Sequence, residues 1–370
     1  GLPDKWVKCI LEDREKNIWV GTRGGLSVLR PRRVVMRSPP DRWQNVPPLG
    51  IAPGTNATVW AGSEGAGLYR FAHGDWRRFD EADGLSNLYV WSVLEDSTGT
   101  VWAGTWSGGL FRARDGRFSV PEELSELTDP ITALLESPAG TLWIGTGKGL
   151  ARFQAGRLER FASLGGPAAG DVRALARGRD GEVWVGTLGT GLGRFADGRL
   201  QTFSARDGLP GDFVLSLHCE PDGTLWIGSL ERGLGRLKNG RWSSLDMKNG
   251  LPNNVVGHIA DDAHGKLWFN SSHGIYSASK ADLNRAADHP ETERVTCLVY
   301  GLSDGLSALA GSAGFTPSGF RATDGRIWLP TAKGLAVVNP AQAAGNRLPP
   351  PIVIEEVLIG SKPADQFTNS

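Results

Sequence analysis

The sequence has few cysteines, no excess of charge of either sign and no long apolar run. Its three cysteines, Cys9, Cys219 and Cys297, lie far apart in 370 residues, which excludes a disulfide framework and a paired-cysteine metal knuckle. Lys and Arg number 40, as do Asp and Glu. A nucleic-acid binder normally carries a basic excess, so no nucleic-acid partner is expected. Without a run of 18 apolar residues, no membrane-inserted helix is expected either.

Glycine, proline and tryptophan are abundant instead. The chain holds 51 Gly, 22 Pro and 14 Trp. So much Gly and Pro disfavours long helices, while the tryptophans and the 40% of hydrophobic residues indicate a packed core rather than disorder. The composition therefore predicts many short strands joined by tight turns.

Eight tryptophans begin the same short phrase, of the type Trp-Val-Gly-Thr-x-x-Gly-Leu. Successive copies are 41, 42, 41, 41, 42, 42 and 60 residues apart, and the last two copies lack the Gly that follows the Trp pair. The eight copies begin at Trp19, Trp60, Trp102, Trp143, Trp184, Trp226, Trp268 and Trp328.

Each repeat contains four short apolar runs, which we name strands A to D. Turn signals separate them, such as Asp96-Ser97-Thr98-Gly99 between A and B and Asp115-Gly116 between C and D. Asp accepts hydrogen bonds from turn amides, and Gly takes the positive φ that such turns need. Four strands in a period of 40–45 residues indicate an all-β fold, a β-propeller of four-stranded blades with eight repeat units.

The repeats resemble those of the two-component regulator propeller family. The family phrase is present at Val7–Leu26, Val90–Leu110 and, with variation, Leu215–Leu234, and the preceding Asp-Gly-Leu motif is present at Asp83–Leu85 and Asp207–Leu209. This resemblance implies an extracytoplasmic, periplasmic ligand-sensing domain of a bacterial signal-transduction receptor.

The same resemblance implies the partners of the chain and its domain limits. The partners would be a small molecule or glycan and downstream signalling domains of the same receptor, with a homodimer as a further expectation and no cofactor. The propeller would occupy residues 1–348. Residues 349–370 would form a linker with Pro349–Pro351 and then the first strand of a truncated immunoglobulin-like domain at Ile352–Val357.

Two closures of the propeller are compatible with the repeats. Eight units make an eight-bladed ring, which we favour slightly because a lone blade would expose an apolar face. Alternatively, the seven units from Trp60 to Trp328 form the ring and the Trp19 unit is an extra blade. The last unit lacks its own D strand, which Arg33–Met36 or Ile352–Val357 could supply. The insertion Ser279–Arg294 before the last unit predicts one short helix on the rim.

The sequence offers no catalytic or metal-binding motif. The six histidines show neither HxxxH nor HExxH spacing, and the recurrent turn aspartates, such as Asp13, Asp96 and Asp262, are interpreted as structural. We therefore expect no enzyme, no catalytic residues and no metal. A lyase is the less favoured alternative, because some other propellers catalyse elimination with a His or Tyr base.

A ligand would bind at the mouth of the propeller, on the face formed by the B-to-C and D-to-A loops. Residues there that depart from the repeat are not required by the fold, so they are the candidates for binding. Trp106 is the first of these, because an exposed Trp can stack on a sugar or anchor a partner. The candidate ligand-binding residues are Trp106, Arg23, Glu64, Tyr89, Lys148, Glu231, Arg232, His273 and Lys333. The alternative function is a structural or dimerisation platform without a small-molecule ligand.

Overall fold

The computed structural model describes residues 2–14, 17–30, 32–107, 109–342, 358–359 and 362–363. The chain divides into two compact units, one of residues 1–31 and 344–370 and the other of residues 32–343. The predicted Pro349–Pro351 linker and Ile352–Val357 strand lie outside the described residues. Between them and the end of the chain, one short hairpin is described, of strands Leu358–Ile359 and Lys362–Pro363.

The unit 32–343 is a ring of seven four-stranded antiparallel sheets, here blades 1 to 7. Strand A is innermost, since each A strand contacts the A strands of the neighbouring blades and blade 7 contacts blade 1. The strands, in the order A to D, are as follows: in blade 1, Pro48–Pro53, Val59–Ser63, Leu68–Ala72 and Asp75–Phe79; in blade 2, Val90–Glu95, Val101–Thr105, Leu110–Arg114 and Arg117–Ser119; in blade 3, Ile131–Glu136, Thr141–Thr146, Gly149–Gln154 and Arg157–Arg160; in blade 4, Val172–Arg177, Val183–Thr187, Leu192–Ala196 and Arg199–Phe203; in blade 5, Val214–Cys219, Leu225–Ser229, Leu234–Lys238 and Arg241–Leu245; in blade 6, His258–Asp261, Lys266–Ser271, Gly274–Ser279 and Cys297–Tyr300; in blade 7, Phe320–Arg321, Ile327–Thr331, Gly334–Val338 and Val34–Arg37.

The eighth repeat forms a separate three-stranded sheet around Trp19, with strands Val7–Glu12, Ile18–Thr22 and Gly25–Leu29. The predicted β-propeller fold is confirmed, and every one of the eight repeat units forms a sheet. The ring itself closes with seven blades, so the arrangement is the alternative one, a seven-bladed ring plus one extra blade, and the preference for an eight-bladed ring is corrected. The physical reason is that Val34–Arg37 completes blade 7 as its D strand. This strand overlaps Arg33–Met36, one of the two candidates that the sequence offered.

Helical segments are short. The described residues contain one α-helix, α1 (Lys280–Asp288), which is capped by Ser279, whose side chain accepts a hydrogen bond from the Asp282 N–H group. It confirms the predicted rim helix. The 3₁₀ turns are Arg42–Asn45, Glu81–Asp83, Glu122–Leu124, Ala162–Leu164, Gly166–Ala169, Ala205–Asp207, Met247–Asn249 and Leu302–Asp304. None of the described helices is long and apolar enough to cross a membrane.

The repeated tryptophan fills the seam between its own blade and the next. Trp60 of blade 1, for example, belongs to the same buried core cluster as Val93 and Phe111 of blade 2. The glycine two residues after it permits the close approach of the blades, because a Cβ atom on Gly62 would lie 2.4 Å from the main-chain oxygen of Val90. The Thr of the phrase fixes the B-to-C turn, as when Thr105 Oγ1 donates to the Gly109 oxygen at 2.9 Å.

The turn aspartates are structural, as expected. Asp96 accepts hydrogen bonds from the indole N–H of Trp102 at 2.8 Å and from the amides of Thr98 and Thr100. Asp262 accepts the equivalent indole bond from Trp268. One carboxylate thus anchors the A-to-B turn to the core tryptophan of its own blade.

Candidate functional site

A segment of chain runs across the centre of the ring. It comprises residues 311–319, in the loop between strand D of blade 6 and strand A of blade 7, and we call it the axial segment. Thr316 exchanges main-chain hydrogen bonds with Thr132 and Leu134 of blade 3, while the Ile51 N–H of blade 1 donates to the Pro317 oxygen at 2.9 Å. Because blades 1 and 3 are not neighbours, the segment must cross the central space to reach both.

Further contacts tie the axial segment to other blades. Ser318 Oγ lies 2.9 Å from His258 Nδ1 of blade 6, and Thr316 Oγ1 donates to the Arg173 oxygen of blade 4. In blade 6, Asn270 stands where other repeats have the close-approach glycine, and its amide donates to the Ser312 oxygen at 3.0 Å. The loss of that glycine, visible in the sequence, therefore marks where the segment enters the ring.

Aromatic side chains collect where the axial segment meets blade 2. The indoles of Trp91 and Trp106 lie with ring centroids 4.2 Å apart, and Phe315 contacts Trp91 edge-on at 5.1 Å. The Arg173 guanidinium lies within 6 Å of the Trp91 and Phe315 rings. We call these four residues the mouth cluster. Trp91, on strand A of blade 2, is half-buried and contacts the axial segment.

The mouth cluster presents an apolar surface rather than a free charge. Asp171 accepts two hydrogen bonds from the Arg173 guanidinium, at 2.8 and 2.9 Å, and neutralises it. Trp106 is 47% exposed, and neighbouring Tyr89 is 50% exposed. The Trp106 amide donates to the Tyr89 oxygen at 2.9 Å, which holds the two loops together. An exposed aromatic surface of this kind can stack on a planar or ring-shaped ligand.

The structure places the other predicted binding residues in exposed B-to-C turns but does not gather them into one pocket. Glu64 lies beside Tyr89, because residues 64 and 89 form an isolated β-bridge. Lys148 is 2.9 Å from Asp129, with its side chain 80% exposed. His273 Nδ1 lies 2.6 Å from Asn253 Nδ2, and Lys333 is exposed.

Two further predicted residues line a small surface pocket, and one lies in the other unit. Glu231 and Arg232 border a cavity of about 200 Å³ together with Phe213, which is 43% exposed and which sequence reasoning missed. Arg23 lies in the B-to-C turn of the three-stranded sheet, hence in the unit of residues 1–31 and 344–370.

A charged cluster lies at the seam between blades 5 and 6. His218, Glu220 and Asp261 bring potential metal-ligand atoms within 4.8 Å of one another. The Lys280 ammonium, however, lies 2.7 Å from Asp261 Oδ2 and 3.0 Å from Glu220 Oε1, so a cation already pairs with both carboxylates. Burial alone would raise the pKa of Asp261, but the hydrogen bonds from Lys280 and the Ala263 amide, together with the nearby charges of Lys280 and His218, outweigh it and lower that pKa.

His258 is half-buried near this cluster. Burial, together with the neighbouring His218, lowers the pKa of His258 to about 3, so its imidazole is neutral over the physiological range. Its Nδ1 atom shares one hydrogen bond with the Ser318 hydroxyl, and its Nε2 atom has no hydrogen-bond partner. Its role in the structure is to position the axial segment.

Comparisons with known proteins agree with the repeat pattern. Four segments, residues 1–24, 84–107, 125–148 and 208–231, match the family model described as two component regulator propeller. No curated protein sequence matches the chain.

Solved structures with the same fold are numerous. One is described as the extracellular domain of a hybrid two component system, BT3049, from B. thetaiotaomicron; it has a TM-score of 0.79 and 22% identity over 96% of this chain, and this chain spans 48% of that one. Another is virginiamycin B lyase from Staphylococcus aureus, with a TM-score of 0.61 and 15% identity over 83% of this chain and 98% of that one. A third is the WD40 propeller domain of Doa1, with a TM-score of 0.58 and 13% identity, covering 85% and 99% of the two chains. At these identities the likeness shows the fold alone.

Proposed function

We propose that this chain, which carries the repeats of the two component regulator propeller family, is the extracytoplasmic sensing domain of a bacterial receptor. It binds a small molecule or oligosaccharide on its loop face and performs no catalytic step. The observation that carries the proposal is the exposed Trp106, packed against Trp91 at the mouth of the ring. The extracellular relative, of which this chain spans about half, supports the receptor context.

The mouth cluster suits a ligand with a flat or weakly polar face. Its one cation, Arg173, is paired with Asp171, so a ligand would bind chiefly by stacking on Trp106, with hydrogen bonds from the rim. Tyr89 lies beside Trp106 and offers a hydroxyl, and Glu64, which is bridged to Tyr89, offers a carboxylate. Stacking on an exposed aromatic contributes about 0.5–1.5 kcal/mol beyond area burial, which suits reversible sensing.

The same cluster provides a connection from ligand to scaffold. Trp91 contacts Phe315 of the axial segment, and that segment is hydrogen-bonded to inner strands of blades 1, 3, 4 and 6. A ligand that moves Trp106 would therefore act on a part of the chain that leads directly into blade 7. From blade 7 the chain continues towards the signalling domains that we propose as downstream partners.

The experiment is a thermal-shift screen with mono- and oligosaccharides and small metabolites, followed by calorimetry on each hit. A ligand that binds only the native state raises the melting temperature. Trp106→Ala should abolish the shift. Trp6→Ala is the matched control, because Trp6 is 64% exposed and directly precedes the first strand of the three-stranded sheet. A hit whose affinity is the same in the Trp106→Ala variant would place binding elsewhere and contradict the proposal.

A protein-interaction platform is the second candidate. The three-stranded sheet exposes Ile10, Leu11, Leu26 and Leu29, each more than half exposed, and large apolar surfaces of this kind mark interaction sites. The partner would be a second copy of the chain. Sedimentation analysis tests this: a dimer that Ile10→Glu dissociates favours the platform, and a monomer at all concentrations contradicts it.

A further inference from the structure

A cavity of about 340 Å³ lies at the seam between blades 3 and 4, lined by the A-to-B and C-to-D turns. These turns are at the opposite ends of the strands from the B-to-C loops, so the cavity is separate from the mouth cluster. Its volume is in the range of small-molecule sites. None of its lining residues was a candidate in the sequence.

Carboxylates fill the equivalent position at the two preceding seams. Glu95 of blade 2 reaches back to blade 1, where it accepts hydrogen bonds from the Thr55 amide at 2.8 Å and the Trp60 indole at 2.6 Å. Glu136 of blade 3 reaches back to blade 2, where it accepts from the amide and hydroxyl of Ser97, both at 2.7 Å. We call Glu95 and Glu136 the seam carboxylates.

Blade 4 lacks a seam carboxylate. The residue at the position of Glu95 and Glu136, the last of strand A, is Arg177, which is exposed. On the blade 3 side of this seam, the hydroxyls of Ser137 and Thr141 are buried and have no hydrogen-bond partner, and both residues are only 2% exposed. Buried hydroxyls without partners are costly, so this seam holds donors whose acceptor is absent from the chain.

Charged groups of both signs line the same cavity. Arg194 Nε is buried without a hydrogen-bond partner, with the Glu182 carboxylate 3.8 Å away. The other oxygen of Glu182 accepts from the Asp180 amide at 2.8 Å, within its own turn. Asp180 and Asp197 add two further carboxylates to the lining. A ligand there would meet unpaired donors beside an acidic wall.

We propose that this seam binds a small amino carboxylate. Its carboxylate takes the place of the missing seam carboxylate and accepts hydrogen bonds from Ser137, Thr141 and Arg194. Its ammonium group faces Glu182, Asp180 and Asp197. Charge-assisted hydrogen bonds to carboxylate are roughly twice as strong as neutral ones, so a ligand with both groups binds better than one with either alone.

Isothermal titration calorimetry tests this with L-alanine and 4-aminobutyrate, which differ in charge separation, and with acetate and methylammonium as single-charge controls. At least one amino carboxylate should bind, and at least tenfold more tightly than either single-charge control. Absence of binding by both at about 10 mM, with no rise in melting temperature, overturns the proposal. Acetate binding as tightly as the amino carboxylates overturns the role of the acidic wall.

Three substitutions locate the site. Thr141→Val and Ser137→Ala each remove a hydroxyl that has no partner in the free protein, so they should weaken binding about tenfold while leaving the free protein stable. Thr100→Val is the matched control, since Thr100 is at the position of Thr141 in a seam that has its carboxylate. It should leave affinity unchanged.

Arg177→Glu supplies the missing seam carboxylate within the chain. It should raise the melting temperature of the free protein and abolish amino carboxylate binding, because the side chain occupies the ligand's position. Arg177→Gln, which removes the charge without adding a carboxylate, should keep binding. If Arg177→Glu binds the amino carboxylate with unchanged affinity, the proposed position of the ligand is wrong. This outcome does not depend on whether the mouth cluster binds a ligand.

Discussion

The side-chain amide of Asn270 donates one hydrogen bond to the Ser312 oxygen at 3.0 Å and another to the Pro330 oxygen at 3.2 Å. Asn270 is 1% exposed. It therefore joins blade 6 to both the axial segment and blade 7, at the one seam of the ring where the close-approach glycine is replaced on both sides.

Asn270→Ala should lower the free energy of unfolding by about 1–3 kcal/mol, because one buried and one part-buried main-chain oxygen lose their donor. Urea unfolding measures the change. Gln201→Ala, at an exposed position of strand D in blade 4, should change the free energy by less than about 0.5 kcal/mol. Equal effects of the two substitutions would show that Asn270 does not hold the segment.

The Asp96 carboxylate should contribute a pH-dependent part of the stability. Burial alone would raise its pKa, but hydrogen bonds from Thr98, Trp102 and the turn amides outweigh it and hold that pKa below its ordinary value. A depressed folded-state pKa gives stability that is fully present above the unfolded pKa, near 4, and is lost as pH falls through the folded pKa.

Asp96→Asn should therefore be less stable than the wild type at pH 7, by about 1–3 kcal/mol, and the difference should shrink as pH falls below about 4. Thermal unfolding between pH 2.5 and 7 measures it. Asp115→Asn, in an exposed C-to-D turn, is the control. A constant difference between wild type and Asp96→Asn at all pH values would contradict the assignment.

Lys280 should behave as a built-in substitute for a metal ion. Lys280→Ala leaves His218, Glu220 and Asp261 without their cation, so the variant should be destabilised by about 1–3 kcal/mol at neutral pH. Because these groups are suitable Zn²⁺ ligands, added Zn²⁺ should raise the melting temperature of Lys280→Ala but not of the wild type. The double variant Lys280→Ala, His218→Ala should lose most of that rise. A Zn²⁺ response in the wild type would contradict the prediction.

The strand Val34–Arg37 should decide whether the ring is stable. A chain of residues 32–342 contains every strand of the seven blades, whereas residues 39–342 lack strand D of blade 7. The longer chain should unfold cooperatively; the shorter one should leave Leu335 and Val338, both buried, open to solvent and melt lower. Circular dichroism on heating compares them. Equal melting temperatures would show that the closing strand adds nothing.

Most of the fold was predictable because it is repeated. Eight copies of one phrase average out local ambiguity, so the strands and the role of Asp96 could be inferred. For the closing strand the sequence left two candidates, Arg33–Met36 and Ile352–Val357. The number of blades in the ring could not, since Trp19 carries the same phrase as Trp60 whether or not its sheet joins the ring.

The candidate site was predictable only where it breaks the repeat. Trp106 stood out because other copies have no aromatic residue there. The axial segment, Gly311–Gly319, has no periodic pattern, because it packs against strands from distant parts of the chain rather than against its own neighbours. The seam cavity could not be predicted, because it depends on the absence of a carboxylate at position 177. That absence is informative only once the structure shows that the two preceding seams use Glu95 and Glu136 there.

The pairing of Val34–Arg37 with Gly334–Val338 has a consequence for synthesis. The first of these strands leaves the ribosome about 300 residues before its partner exists, so it waits as an unpaired edge while six blades form. An unpaired edge strand invites pairing with other chains, and long-range pairing of this kind is slow. Cotranslational folding of this ring therefore ends, rather than begins, with its first strand, and a chain that terminates before Gly334 would form a ring that cannot close.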